Sequence, residues 1–79
     1  MFYTYVLKSQ KDGNLYIGSS NDLRRRFREH NLGRVTSTLN RRPFVLLFYE
    51  AYQEKRVAQK RERYLKSSDG HKDINKRFG

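Results

Sequence analysis

FYTYVLKS (residues 2–9) and NLYIGSS (14–20) are rich in aromatic and β-branched residues and flank the loop Gln10-Lys11-Asp12-Gly13, a pattern that predicts a β-hairpin. Two registers are open. A two-residue Asp12-Gly13 turn sets Leu7 opposite Gly18, whereas a loop running from Gln10 to Gly13 sets Tyr5 opposite Gly18. Either way the alternation of a strand places Tyr5 and Tyr16 on one face. A glycine inside a strand is unfavourable unless it meets a bend, a bulge or a close approach, so Gly18 marks open space beside those two tyrosines.

The period then changes. Leu23 and Phe27, four apart, predict a helix that starts after a Ser20 or Asn21 cap, carries Asp22 in its first turn, and stops near Asn31 ahead of Gly33. At about 100° per residue, Arg26 and His30 share one shoulder of the apolar stripe while Arg25 points away. GRVTSTLNRR (33–42) reads as a polar, basic loop. Pro43 opens PFVLLFYE, whose nearly unbroken apolar run predicts an internal strand buried on both faces. From about Glu54 to Lys66 a second helix is expected, with Val57, Ala58, Tyr64 and Leu65 near one face, Arg61 among them and Glu62 on a shoulder. Ser67 to Gly70 breaks it, and HKDINKRFG adds a short terminal helix around Ile74.

At 79 residues, one small domain spanning 1–79 is expected. With no cysteine, neither a disulfide framework nor a zinc-thiolate site is available, and stability must come from packing. The formal charge is +10, from 18 Lys+Arg against 8 Asp+Glu spread from Lys8 to Arg77. Such a field draws polyanions, nucleic acid first and an anionic membrane surface second. The early strand and the want of any long apolar stretch argue against the membrane and for the cytoplasm. A basic surface kept only for solubility is the bland alternative.

There is no Walker-type phosphate loop, no His-Glu-x-x-His, and no acidic cluster suited to two metals; His30 and His71 are the only histidines. Metal chemistry here would rest on one acid. Tyr3-Thr4-Tyr5, then Tyr16-Ile17-Gly18 eleven residues after Tyr5, then Asn21-Asp22-Leu23 leading to Arg26 and His30, resemble the GIY-YIG nuclease family. Arg41-Arg42-Pro43 before a strand ending Tyr49-Glu50, and Ala58-x-x-Arg61-Glu62-x-x-Leu65-Lys66, resemble its short stand-alone branch, related to the catalytic domain of the bacterial excision-repair nuclease. The likeness runs from about residue 2 to 66. It departs in the first motif, where Tyr3-Thr4 replaces Gly-Ile.

The resemblance implies an α+β fold, a three-stranded antiparallel sheet flanked by helices in the order β-β-α-β-α with a short C-terminal helix. It also implies DNA phosphodiester hydrolysis with one divalent metal, Mg²⁺ or Mn²⁺. Carried over, Glu62 holds the metal, Arg26 contacts the scissile phosphate, Tyr5 takes the proton of the attacking water, and Tyr16 and His30 complete the site. Some members add a late polar residue, for which Asn75 is the candidate. A hard cation is served by one carboxylate plus substrate oxygens, and arginine offers a forked donor to growing anionic charge. A phenol with a pKa of about 10 needs cationic neighbours to act as a base, so the split of proton transfer among Tyr5, Tyr16 and His30 stays open.

Arg24, Arg25 and Arg28 are expected to track neighbouring phosphates, with Arg34, Arg41 and Arg42 and the hydroxyls of Thr36, Ser37 and Thr38 extending the surface. Each residue also has an ordinary reading: strand aromatics, solvated helix charges, a Glu62–Lys66 pair. No appended DNA-targeting domain is expected, so sequence specificity is expected to be low and choice of DNA to rest on shape (branched, flapped or single-stranded), on a protein partner, or on neither. Repair or recombination is the expected setting. A non-catalytic nucleic-acid-binding module of the same fold, and a basic adaptor on an acidic protein, are the rivals.

Overall fold

The computed structural model describes residues 1–78; Gly79, the last residue of the expected terminal helix, lies outside them. The elements run β1 (Phe2–Ser9), β2 (Leu15–Ser20), α1 (Leu23–Asn31), a 3-10 turn (Thr36–Arg41), β3 (Phe44–Tyr52), α2 (Lys55–Lys66) and α3 (Ser68–Phe78). The sheet is antiparallel with the order β2-β1-β3. It is the expected α+β architecture.

The hairpin takes the longer-loop register, with Tyr5 opposite Gly18 and Leu7 opposite Tyr16. Ser9 closes it. Its amide donates to the Asn14 carbonyl, and its buried hydroxyl accepts from the amides of Lys11 and Asp12 while donating to the Arg41 carbonyl. Gly13 takes a positive φ of 74°, which the turn requires.

Alternation sorts the side chains into two layers. On one face Tyr5, Leu7 and Phe44 form a cluster covered by Leu23 and Phe27 of α1; on the other, Val6 and Ile17 meet Leu65 of α2 and Ile74 of α3. Thr4, fully buried, ties the second layer down by donating to the Ala58 carbonyl at 2.7 Å. Asn31 does the same for the first. Its side-chain amide both donates to the Phe44 carbonyl and accepts from the Phe44 amide, docking the end of α1 on the start of β3 as a strand neighbour would.

Four expectations are corrected. The internal strand is β1, buried on both faces, while β3 is an edge strand with Val45, Leu46 and Tyr49 exposed. α1 alone covers one face and α2 with α3 the other, and β1, in the middle of the sheet, is the strand that lies under cover on both. The cap of α1 is Asp22, whose carboxylate accepts from the Arg25 amide, rather than Ser20 or Asn21. Of the expected apolar face of α2, Ala58 and Leu65 are buried, but Val57 and Tyr64 lie more than a third exposed. Ser67 ends α2 and directly caps α3, so the break is one residue long; a Cβ on Gly70 would lie 2.1 Å from the Tyr64 carbonyl oxygen, which explains the glycine at this crossing.

Candidate active site

β1 and β2 bring Tyr5 and Tyr16 together on the α1 face, ring centroids 6.4 Å apart. Gly18 makes this possible. A Cβ there would stand 2.5 Å from the Tyr5 hydroxyl and 2.7 Å from its Cζ, so the space the glycine leaves is filled by the tip of the Tyr5 ring. The hydroxyl therefore reaches across to the β2 edge.

His30, fully buried, comes from the last turn of α1, with its ring centroid 4.8 Å from that of Tyr16 and 5.8 Å from that of Tyr5. Its Nε2 meets the Tyr5 hydroxyl at 3.0 Å and its Nδ1 meets the Thr38 hydroxyl at 2.8 Å. The Thr38 hydroxyl in turn has the Val35 carbonyl as acceptor at 3.4 Å. With Thr38 donating to Val35, it accepts from Nδ1–H and the Nε2 lone pair is left for the Tyr5 proton. With Thr38 donating to Nδ1, the order reverses; the first is the tautomer in which His30 can receive a proton from Tyr5.

Electrostatics keep both partners uncharged. Burial pushes the Tyr5 hydroxyl up to about 12, Tyr16 adds to the rise, the Arg26 guanidinium holds it back, and Glu62 adds a final upward push. Burial also pulls His30 down to about 4, helped by the charge of Arg26 and opposed by Glu29. Both groups are neutral at neutral pH. Arg26 is partly exposed and tethered to Glu29 at 3.4 Å.

Glu62 belongs to the other layer. On α2 it faces the edge of β2, where its Oε1 accepts from the Ser19 hydroxyl at 2.6 Å and its Oε2 from the Lys66 ammonium at 2.7 Å. Ser19 is the neighbour of Gly18, so the carboxylate and the Tyr5 hydroxyl approach the same stretch of β2 from opposite faces. Among the described residues there is no cluster of three or more His, Asp or Glu side chains that could hold a metal. The donors at this edge are a carboxylate and a hydroxyl, all oxygen, which suits a hard divalent cation completed by water and substrate. A cation on Glu62 would replace Lys66.

The remaining expected residues divide. Arg24, Arg25, Arg28, Arg34 and Arg42 are exposed, although Arg42 also donates to the Leu39 carbonyl at 2.9 Å. Arg41 is held inside the fold, paired with Asp12 at 2.9 Å, donating to the Leu15 carbonyl and lying over the Phe44 ring. Asn75 is exposed on α3 and, among the described residues, makes no hydrogen bond to Glu62. The segment read as a solvated loop is instead a 3-10 turn whose Thr38 is fully buried against His30. Thr38, Ser19 and Asn31 were not singled out for these contacts. Only the recurrence of Val35 and Leu39 around Thr38 hints that the segment packs.

This sheet, with its tyrosine pair and overlying arginine, is that of a nuclease domain, and the chain belongs to the GIY-YIG family, whose catalytic-domain model matches residues 1–78. Its relatives are UPF0213 proteins, small stand-alone members of that family. It is 43% identical over 67 residues to the UPF0213 protein of Clostridium perfringens, covering 84% of this chain and 71% of that one. It is 42% identical over 66 residues to that of Bacillus pumilus, covering 82% of this chain and 66% of that one. The solution structure of the UPF0213 protein BH0048 of Bacillus halodurans superposes with a TM-score of 0.60 at 30% identity, over 100% of this chain and 87% of that one.

Proposed function

We propose that this protein is a cytoplasmic endonuclease that hydrolyses DNA phosphodiester bonds with one divalent cation, Mg²⁺ or Mn²⁺, prefers branched, flapped or single-stranded DNA, and serves repair or recombination. One observation carries the reading: Tyr5, Tyr16, Arg26 and His30 gather on one face over Gly18, while Glu62 is held on the next residue of the same strand edge. Solvent reaches Arg26, Tyr16 and Glu62; Tyr5 and His30 lie beneath them.

Arg26 is the group that meets the phosphate, its fork matching two oxygens whose charge grows in the transition state. Burial is the main reason His30 resists protonation and the Arg26 charge the second, and a phosphate there offsets the second. The His30 Nε2 can then take the Tyr5 proton as the Tyr5 oxygen takes one from the attacking water. The water oxygen bonds to phosphorus while the bond from phosphorus to the leaving sugar oxygen breaks, and that oxygen takes a proton from solvent. The transfer needs the tautomer in which Nδ1–H donates to Thr38, and the 2.8 Å contact between them supports it. Glu62, with the Ser19 hydroxyl, would hold the cation, which would supply Lewis acidity at the phosphate oxygens.

A second reading, a nucleic-acid-binding module without catalysis, draws on the fact that both Glu62 oxygens are taken by Ser19 and Lys66. Cleavage separates the two. Labelled flaps, three-way junctions, single strands, blunt duplexes and matching RNAs, incubated with Mg²⁺, Mn²⁺ or EDTA, should give metal-dependent products on non-duplex DNA. Binding with no product under any metal sinks the enzymatic reading.

A further inference from the structure

On the β3 side of α1, the flank opposite Arg26 and His30, lies an open groove of about 460 Å³. Tyr3, Leu46 and Tyr49 line it from the sheet, Leu23, Phe27 and Arg24 from α1, and Asn21 and Asp22 close one end, the Asp22 carboxylate being engaged by the Arg25 amide and side chain. It exists because β3 is an edge strand whose face α1 leaves uncovered. Tyr49 and Tyr3 meet in a T-shaped pair with centroids 6.0 Å apart, and Tyr49, 53% exposed, keeps phenol surface open to the groove. Apolar surface held open in so polar a chain marks a binding surface.

Its rim decides the occupant. Arg24 lines the groove, and Arg28 follows one helical turn along the same flank; both are exposed and, among the described residues, neither makes an ion pair. A second copy docked by two-fold symmetry would set these arginines against their own equivalents. An unpaired nucleotide has what the walls lack: a flat aromatic face for Tyr49 and an anion for the guanidinium forks. The Asn21 amide, with no side-chain hydrogen bond among the described residues, offers both donor and acceptor to a base edge. α1 is about 10–12 Å across. One bound strand can therefore engage both flanks of the helix.

We infer that this groove is a subsite for an unpaired nucleotide, its base stacked on Tyr49 and its phosphate on Arg24 and Arg28. The inference rests on the nucleic-acid reading above and gives the preference for non-duplex DNA a physical source.

The test uses wild-type protein in EDTA, so that no cleavage occurs, and a hairpin DNA with a short single-stranded overhang carrying 2-aminopurine, compared with the same duplex made blunt. Stacking should quench the overhang fluorescence. Tyr49→Ala should abolish the quench and weaken overhang binding about 5- to 100-fold while leaving blunt-duplex binding unchanged, and Tyr49→Phe should keep both. Arg24→Ala, at an exposed helix position, gives a second weakening independent of the sheet. Equal loss on overhang and blunt DNA, or no loss, overturns the subsite; so does a wild-type dimer in sedimentation that Tyr49→Ala converts to monomer. The nuclease reading fails separately: quench without any metal-dependent cleavage removes the chemistry and keeps the groove, whereas cleavage without a Tyr49 effect does the reverse.

Discussion

Acidification offers a test of the His30 environment that needs no substrate. The unfolded chain binds a proton to His30 near 6.5 and the folded chain only near 4, because burial and Arg26 oppose the charge. Between these values the unfolded state holds more protons, so stability must fall as pH drops from about 6.5 to about 4 and be level above that window. At about 1.4 kcal/mol per tenfold change, the drop is about 3 kcal/mol. A chain of this size is stable by about 4–12 kcal/mol, so the loss is a large part of the whole. Asp12 and Glu50 behave otherwise. Asp12 is held below its ordinary value mainly by Arg41; for Glu50, burial pushes upward and is outweighed by hydrogen bonds from Arg61 and Tyr52, so their stabilisation is lost only as pH falls below about 4.5. Urea unfolding followed by circular dichroism at pH 7.5, 6.5, 5.5 and 4.7 isolates the histidine. Wild type should lose most of its 3 kcal/mol across that series, and His30→Gln, whose amide can accept from Tyr5, should lose little. A level wild-type profile, or equal slopes in both proteins, would refute the argument that a neutral buried His30 supports Tyr5.

Gly18→Ala places a methyl 2.5 Å from the Tyr5 hydroxyl; it should cost about 1–3 kcal/mol by urea unfolding and, if the proposed chemistry holds, lower cleavage beyond any loss of folded protein. Arg26→Ala should reduce turnover about 100-fold or more, whereas Arg25→Ala, exposed and 4.0 Å from Asp22, should change it less than about threefold at the ionic strength where surface charges are screened. Equal losses in single-turnover assays would mean generic charge rather than a site.

The sequence disclosed what depends on period. Strand parity already placed Tyr5 and Tyr16 together, and the Leu23/Phe27 stripe already separated Arg26 and His30 from Arg25. Gly18 was legible as a gap, though not that the Tyr5 ring itself occupies it. What stayed hidden depends on partners distant in the chain. PFVLLFYE looks internal because its composition is apolar, yet burial is set by which strand pairs on both edges, and that is β1. Thr38 and Asn31 are polar residues in polar segments; nothing local shows that one caps His30 and the other completes β3. Arg41, one of many arginines in the string, is distinguished by partners far from it in the chain, Asp12 and Leu15 of the hairpin.

The most direct test of the central claim is a pair of assays on Glu62→Gln: cleavage of a labelled flap with Mg²⁺, and binding of the same flap in EDTA. The substitution keeps the size of the side chain and its acceptor for Ser19 while removing the charge that would hold a cation. Loss of cleavage with binding within about twofold of wild type is the predicted result. Cleavage by Glu62→Gln at the wild-type rate, in folded protein, would contradict a reaction built around that strand edge.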